Sequence, residues 1–408
     1  METIREVLET PVRGHYDVAV VGGGPAGCGV AIACGRAGLK TLLIERENCL
    51  GGGWTTGLIN PFFDGLGKSG LVEEIITALQ KQDKWGGFWK ISFHYEYMKK
   101  LLEDLMREAN VEVLYGTTFS RTLQEGNRVT GIVAENIEGR FAVLADMTAD
   151  CTGNGDVAAD AGCAFVIGEE DDPRACQAMT LMFLVGNIPE EYRDGLMIFE
   201  KLDRAYRLEG KEIPFRVPYL IPVPGSRFGV VQFTHMYDYD PLSARELTEA
   251  VMEGRRQIIE AFEALTKHDE DFRALELISS AGMLGVRESR RIVGEYTLTL
   301  DDIINGAQFP DAVASVTFGA DLHTKSNKGQ NCFGVKPYTI PMRALIPKGY
   351  DGIITAGRCI SGSREAMASY RVTGNCCQMG ENAGYILAQA LQTGVNIRDV
   401  KREFRLRK

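Results

Sequence analysis

The sequence predicts an α/β protein with a Rossmann-like dinucleotide-binding domain, a parallel sheet with a small antiparallel excursion, joined to a second α+β domain. Three observations predict it. The apolar strand YDVAVV (16–21) runs into GGGPAG and an Ala/Gly-rich helical stretch to about Arg36. A second buried strand, KTLLIE (40–45), completes a βαβ unit of about 30 residues, the length and order that a right-handed crossover needs. Short strand-like segments closed by glycines then recur, DCTGNGD at 150–156 and ITAGR at 354–358.

The other elements follow in chain order. Residues 1–15 read as a polar leader packed as a short helix. Residues 69–84 and 94–109 read as helices; in the second, Leu101, Leu102, Leu105 and Met106 make one apolar stripe. VEVLYG, RVTGIVAE and RFAVLADMTAD alternate and predict the antiparallel excursion with a return to the parallel sheet. From about 166 the character changes: TLMFLVGN and RFGVVQFTH read as longer strands, and 243–267 as an amphipathic helix. Residues 352–357 are again a short buried strand, followed by a glycine-punctuated helix from about 372 to 392 and a basic, solvated tail, VKREFRLRK. The expected division is 1–165 with 346–408 for the cofactor domain and 166–345 for the substrate domain.

Composition narrows the class of protein. Glycine accounts for 46 of 408 residues, about 11% against a usual 7%, which suits a chain that wraps a large ligand. A net charge of −10 disfavours nucleic acid or an anionic membrane as the main partner. No run of 18 apolar residues and no signal-like leader is present, so a cytoplasmic protein without a membrane span is expected. The ten cysteines include no C-x-x-C pair, and buried free thiols fit better than disulfides, a metal site or an iron–sulfur cluster. No metal is expected.

Gly22, Gly24 and Gly27 form G-x-G-x-x-G between strand and helix, with Pro25 and Ala26 opening the helix. The first glycine permits the tight turn, the second lets a pyrophosphate approach, and the third allows close helix–strand packing. The helix start offers free N–H groups and a positive dipole end. Glu45, 18 residues after Gly27 and next to Arg46, is placed to accept hydrogen bonds from an adenosine ribose. Two further features favour FAD over NAD. Gly52, Gly53, Trp54 and Thr55 follow the ribose acid at once, so backbone can run beside an extended cofactor; a plain flexible loop is the alternative. Gly153 with Asp156, and Gly357 with Arg358, close two more strands. A second dinucleotide motif is missing, since GDVAADAG (155–162) lacks the spacing and the acid.

The ordered set GGGPAG, GGGW, CTGNGD, GVRESRRIVGEY (285–296), DLH (321–323), YTIPMRALIPKG (338–349) and AGRCISGSREAMASYRVTGNCCQMGENAG (356–384) resembles the glutathione-reductase superfamily of flavoproteins. It is more closely similar to the FAD-dependent oxidoreductase family, relatives of the fumarate reductase flavoproteins. The resemblance implies that Gly357 and Arg358 lie near the ribityl chain or phosphates. Many members carry aspartate where this chain has Arg358, which turns the expected contact toward phosphate. It also implies that Val372, Thr373 and Gly374 start a helix facing the flavin N1/O2 edge, where a positive helix end stabilises negative charge.

For the substrate, Arg287 and Arg291 in VRESRR suit an anionic group, with ion pairing to Glu288, Glu295 or the cofactor as the alternative. His323 is the first choice for general acid or base, and Tyr338 is a second-rank candidate; structural roles are the alternatives. His235 and His94 read as structural. The expected partners are a small-molecule substrate and an unidentified electron donor or acceptor, and a homo-oligomer is left open. The function these features imply is hydride transfer between a small polar substrate, anionic or bearing hydroxyl or carbonyl, and flavin N5. The alternatives are biosynthetic or RNA-modifying flavin chemistry, or a non-catalytic electron-transfer subunit.

Overall fold

The computed structural model describes residues 3–325 and 331–408. Val12–Val21 runs through the middle of a seven-stranded sheet, parallel to Thr41–Ile44 on one side and to Gly139–Asp150 on the other. Glu112–Leu114 continues the parallel set beyond Thr41–Ile44. Where these strands lie side by side their residues are mostly apolar, because both faces are covered; Val18, Val20, Leu42 and Leu43 are fully buried.

Gly139–Asp150 is shared between two partners. Its first half pairs antiparallel with Arg128–Asn136, which in turn pairs with Thr118–Glu125 and forms the excursion. Its last three residues pair parallel with Ile353–Thr355. A strand from near the C-terminus therefore lies in the sheet begun at the N-terminus.

Two helices lock this arrangement. Pro25–Arg36 packs along Thr373–Thr393, and glycines sit where the backbones meet. A Cβ on Gly380 would lie 2.1 Å from Ala26 O, on Gly29 2.5 Å from Cys377 O, and on Gly384 2.6 Å from Val30 O. The glycines that punctuate the last helix are thus a docking stripe for the first.

A second sheet is antiparallel, in the order Leu196–Met197, Tyr219–Pro222, Gly229–Gln232, Phe183–Gly186, Glu276–Ser280. The helix Ala244–His268 covers it, burying Ile258, Ala261 and Leu265 in the same core. Ser243 caps that helix by accepting the Glu246 N–H at 3.3 Å.

Two local expectations need correction. The leader is no helix over 3–11, and the first strand starts at Val12, because its outer residues pair with Ala142–Leu144. Residues 1–2 lie outside the described part. The basic tail is solvated only in part: Lys401, Arg402, Glu403, Arg405 and Lys408 are exposed as expected. The tail is also docked, since Arg407 binds Asp64 at 2.6 Å, Gln378 donates to Leu406 O at 2.6 Å, and Lys408 N–H donates to Gly67 O at 3.1 Å. Of the ten free cysteines nine are buried, and Cys332 is exposed. Among the described residues no helix is long and apolar enough to cross a membrane.

Candidate functional site

A cavity of about 660 Å³ opens at the carboxyl ends of the parallel strands. Val21–Gly22, Ile44–Glu45, Cys151–Thr152 and Ala356–Gly357 line it, each at or just past the end of a strand. Ligands of open parallel sheets bind at such edges, because the loops there are free of sheet bonding.

The glycine turn shapes one end. Gly22 has φ +100°, and a Cβ there would strike Cys151 O at 2.6 Å. Gly27 touches Gly22 O so closely that a Cβ would lie 1.9 Å away. Gly24 differs: a Cβ on it would meet nothing within 4 Å, so its face opens into the cavity. Across from it a Cβ on Gly52 would sit 3.2 Å from the Gly24 Cα. The two glycines thus form a backbone-walled cradle. Pro25, Ala26, Arg46, Gly53 and Gly153 also line the cavity.

Glu45 is buried there and accepts the N–H groups of Gly23 at 2.5 Å and Glu47 at 2.9 Å. Burial raises its pKa against those two hydrogen bonds. A carboxylate has about four acceptor positions, so two remain. Asp156 pairs with Arg290 at 2.8 Å and also lines the cavity. Arg358 donates to Asn154 Oδ1 at 2.7 Å, while its buried Nε has no hydrogen-bond partner among the described residues. Val372 and Thr373 line the cavity, and the buried Thr373 Oγ1 is likewise unpartnered. Buried polar atoms are normally satisfied, so these orphans in a glycine-walled cradle fit a large polar ligand such as a dinucleotide.

The other end carries the titratable groups. His323 follows the strand Ala320–Leu322. Its Nε2 lies 3.0 Å from Asp321 Oδ2 and its Nδ1 lies 2.8 Å from His235 Nε2. Burial and the Arg287 charge push His323 down to about 4, against the pull of Asp321. Burial alone would raise Asp321, but His323, Arg371 and Arg287 outweigh it and hold the carboxyl well below the usual range. Arg287 donates to Ala178 O and Thr180 Oγ1, both at 2.7 Å, and burial together with the Arg371 charge pushes it down to about 9. Arg371 donates to Asp321 O at 2.9 Å. Two guanidiniums and an Asp–His pair therefore share one wall, joined by Thr180, Met182, Tyr219 and Gln232 of the second sheet region.

Several expected residues stand outside the cavity. Arg291 is buried in a pair with Glu288 at 2.6 Å and donates to Gly168 O. Tyr338 is buried and donates to Ser369 Oγ at 2.8 Å. Trp54 packs in the core with its ring 4.7 Å from Phe62, and Thr55 donates to Leu50 O. Gly374 donates its N–H to Phe63 O at 3.1 Å and packs against residues 63–64. Conversely, Asp321 and Arg371 line the cavity although neither was singled out from sequence. Both lie inside the quoted motifs DLH and YRVTG, but only tertiary contact shows which way they face.

A parallel sheet whose first turn is a glycine cradle, completed by a strand and helix from the far end of the chain, defines a dinucleotide-binding flavoprotein. The chain matches the model of the FAD dependent oxidoreductase family over residues 17–407 and belongs to that family. It is an oxidoreductase with FAD as its cofactor. It is 31% identical over 143 residues to the tRNA uridine 5-carboxymethylaminomethyl modification enzyme MnmG of Caldicellulosiruptor saccharolyticus, covering 30% of this chain and 22% of that one. It is 32% identical over 123 residues to the thiamine thiazole synthase of Metallosphaera sedula, 29% of this chain and 44% of the relative. The chain thus spans less than half the length of these relatives. The fold is similar to that of the flavin-dependent brominase Bmp2, with a TM-score of 0.52, 15% identity, and 94% and 81% of the two chains covered.

Proposed function

We propose that this chain is an FAD-dependent dehydrogenase or reductase acting on a small polar substrate that carries an anionic group. The adenosine half of FAD would lie by Glu45, the pyrophosphate in the Gly24–Gly52 cradle beside Arg358, and the ring system toward Val372 and Thr373. Bound FAD supplies the site that takes or gives the hydride. The protein then has to bind the substrate, orient it and handle one proton.

The observation that carries this reading is the pairing of charges on the far wall. Burial disfavours the charge on both Arg287 and Arg371, the Arg371 charge adds to this at Arg287, and the one Asp321 carboxylate is shared between the two guanidiniums. A substrate carboxylate or phosphate would relieve that repulsion and be held by charge-assisted hydrogen bonds. Asp321 and His323 are then beside the bound molecule to take the hydroxyl proton on oxidation, or return it on reduction.

Anaerobic bleaching of the bound flavin, screened over paired carboxylate-bearing and neutral alcohols, tests it. Bleaching by the charged members, weakened in Arg287→Ala through a higher KM, is expected. Bleaching by neutral members alone would refute the anionic substrate.

A second reading, biosynthetic or tRNA-modifying chemistry, draws support from what the two relatives are named for. A tRNA affinity that falls steeply with salt would favour it.

A further inference from the structure

The polar groups behind Asp321 form a line: Phe233 O, His235 Nδ1 at 3.1 Å; His235 Nε2, His323 Nδ1 at 2.8 Å; His323 Nε2, Asp321 Oδ2 at 3.0 Å. We propose that this line is a single proton-carrying unit, with His235 the positioning residue that decides which nitrogen of His323 faces Asp321. The inference rests on the reading above only in giving that proton a use.

The argument is a count of hydrogens. A carbonyl oxygen only accepts, so His235 Nδ1 must carry a hydrogen to bond Phe233. The neutral ring then has a bare Nε2, which accepts from His323 Nδ1–H. His323 is left with a bare Nε2 facing a carboxylate oxygen, and both are acceptors. Three links between two accepting ends need three hydrogens, and two neutral imidazoles bring two. The complete line therefore holds one further proton, as an imidazolium opposite the Asp321 carboxylate. Without it one link sets lone pair against lone pair.

The surroundings hold His235 in place and leave that proton loosely bound. Phe215 stacks on the His235 ring at 3.6 Å, and Gln257 accepts the His235 N–H at 3.0 Å and donates to its carbonyl at 3.2 Å. Glu253 lies behind Gln257, which donates to it at 2.9 Å. Tyr237 has its ring 5.9 Å from that of His235. Arg287 and Arg371 face the line with positive charge, and Cys332 donates to Asp321 Oδ1 at 3.3 Å. Burial and the Arg287 charge push both rings down; Asp321 pulls His323 the other way, and backbone hydrogen bonds at Phe233 and Thr234 do the same for His235. On substrate oxidation the hydroxyl proton would enter at the Asp321 end as the missing third hydrogen, while the electron pair leaves with hydride to the flavin.

The test is imidazole nitrogen NMR on the FAD-loaded protein without substrate; the chain has five histidines, so assignment is tractable. Both His235 and His323 are expected to carry hydrogen on Nδ1 and to titrate through one shared midpoint. Asp321→Asn supplies a donor at the end of the line, so both rings should stay neutral across the range. In His235→Gln, His323 should shift to its own midpoint by about one pH unit or more, the size of coupling that makes two groups titrate as one. Separate midpoints in the wild-type protein, or a wild-type titration surviving in Asp321→Asn, would overturn the proposal. If a variant fails to fold, as judged by flavin content and melting, the wild-type spectra alone decide. These spectra require no turnover, so the relay and the dehydrogenase reading can fail separately.

Discussion

The carboxylate of Glu45 accepts the backbone N–H of Gly23 at 2.5 Å, tying the end of the second strand to the glycine turn. The acid expected to meet ribose thus also shapes the loop beside it. Glu45→Gln leaves one oxygen for two N–H groups, and an unmet buried donor costs about 1–3 kcal/mol. A lower melting temperature is expected even before FAD is added. An unchanged melt of flavin-free protein would show that the contact does not hold the turn.

Gly24→Val and Gly27→Val should separate binding from folding. Gly24 has φ −70° and open space at its Cβ position, so valine fits the chain itself and blocks only a ligand. Folded, colourless protein is expected. At Gly27 the Cβ would lie 1.9 Å from Gly22 O, and misfolding is expected. Full flavin content in Gly24→Val, read from absorbance, would refute the placement of the pyrophosphate.

His323→Ala should retain FAD and slow flavin reduction by substrate by about 10²- to 10⁴-fold, the usual worth of a positioned acid or base. Stopped-flow bleaching measures this. A rate equal to wild type would remove the Asp321–His323 pair from the chemistry.

Glu381 gives a pH test of stability. It is buried, accepts the Leu71 N–H at 2.9 Å, and burial lifts its carboxyl from 4.5 to about 7. The folded chain keeps a proton there that the unfolded chain releases, so this contribution is full below about pH 4.5 and is lost as pH rises to about 7. The loss is roughly 3 kcal/mol at 1.36 kcal/mol per unit. Glu381→Gln keeps the acceptor without the charge. It should melt higher than wild type near pH 8 and level with it near pH 4.5; a gap of equal size at both would contradict the assignment.

The cofactor frame was legible because its signals are local. A strand, a glycine turn and an acid at a set distance all fall within 16–45, and the antiparallel excursion shows in alternation. The substrate wall was less so. His323 stood out by residue type, but its partner His235 is 88 residues away and was read as structural. Arg291 and Tyr338 carried the right chemistry, yet Glu288 and Ser369 hold them away from the cavity. Sequence shows which groups a segment owns, and packing alone decides which way they point. The tail was legible in part for the same reason: most of its charged residues do face water, but Asp64 gives Arg407 a buried carboxylate to meet.

The docking of Pro25–Arg36 against Thr373–Thr393 also sets when flavin can be captured during synthesis. A nascent chain that has left the ribosome through residue 360 owns the whole glycine turn but not the helix that braces it. Loading must wait until the helix Thr373–Thr393 has emerged, and until then the apolar face of the first helix is left for chaperones to shield. Protein ending at residue 360 should accordingly be recovered without flavin and bound to such chaperones; yellow, free-standing protein from that truncation would show that the early segment suffices.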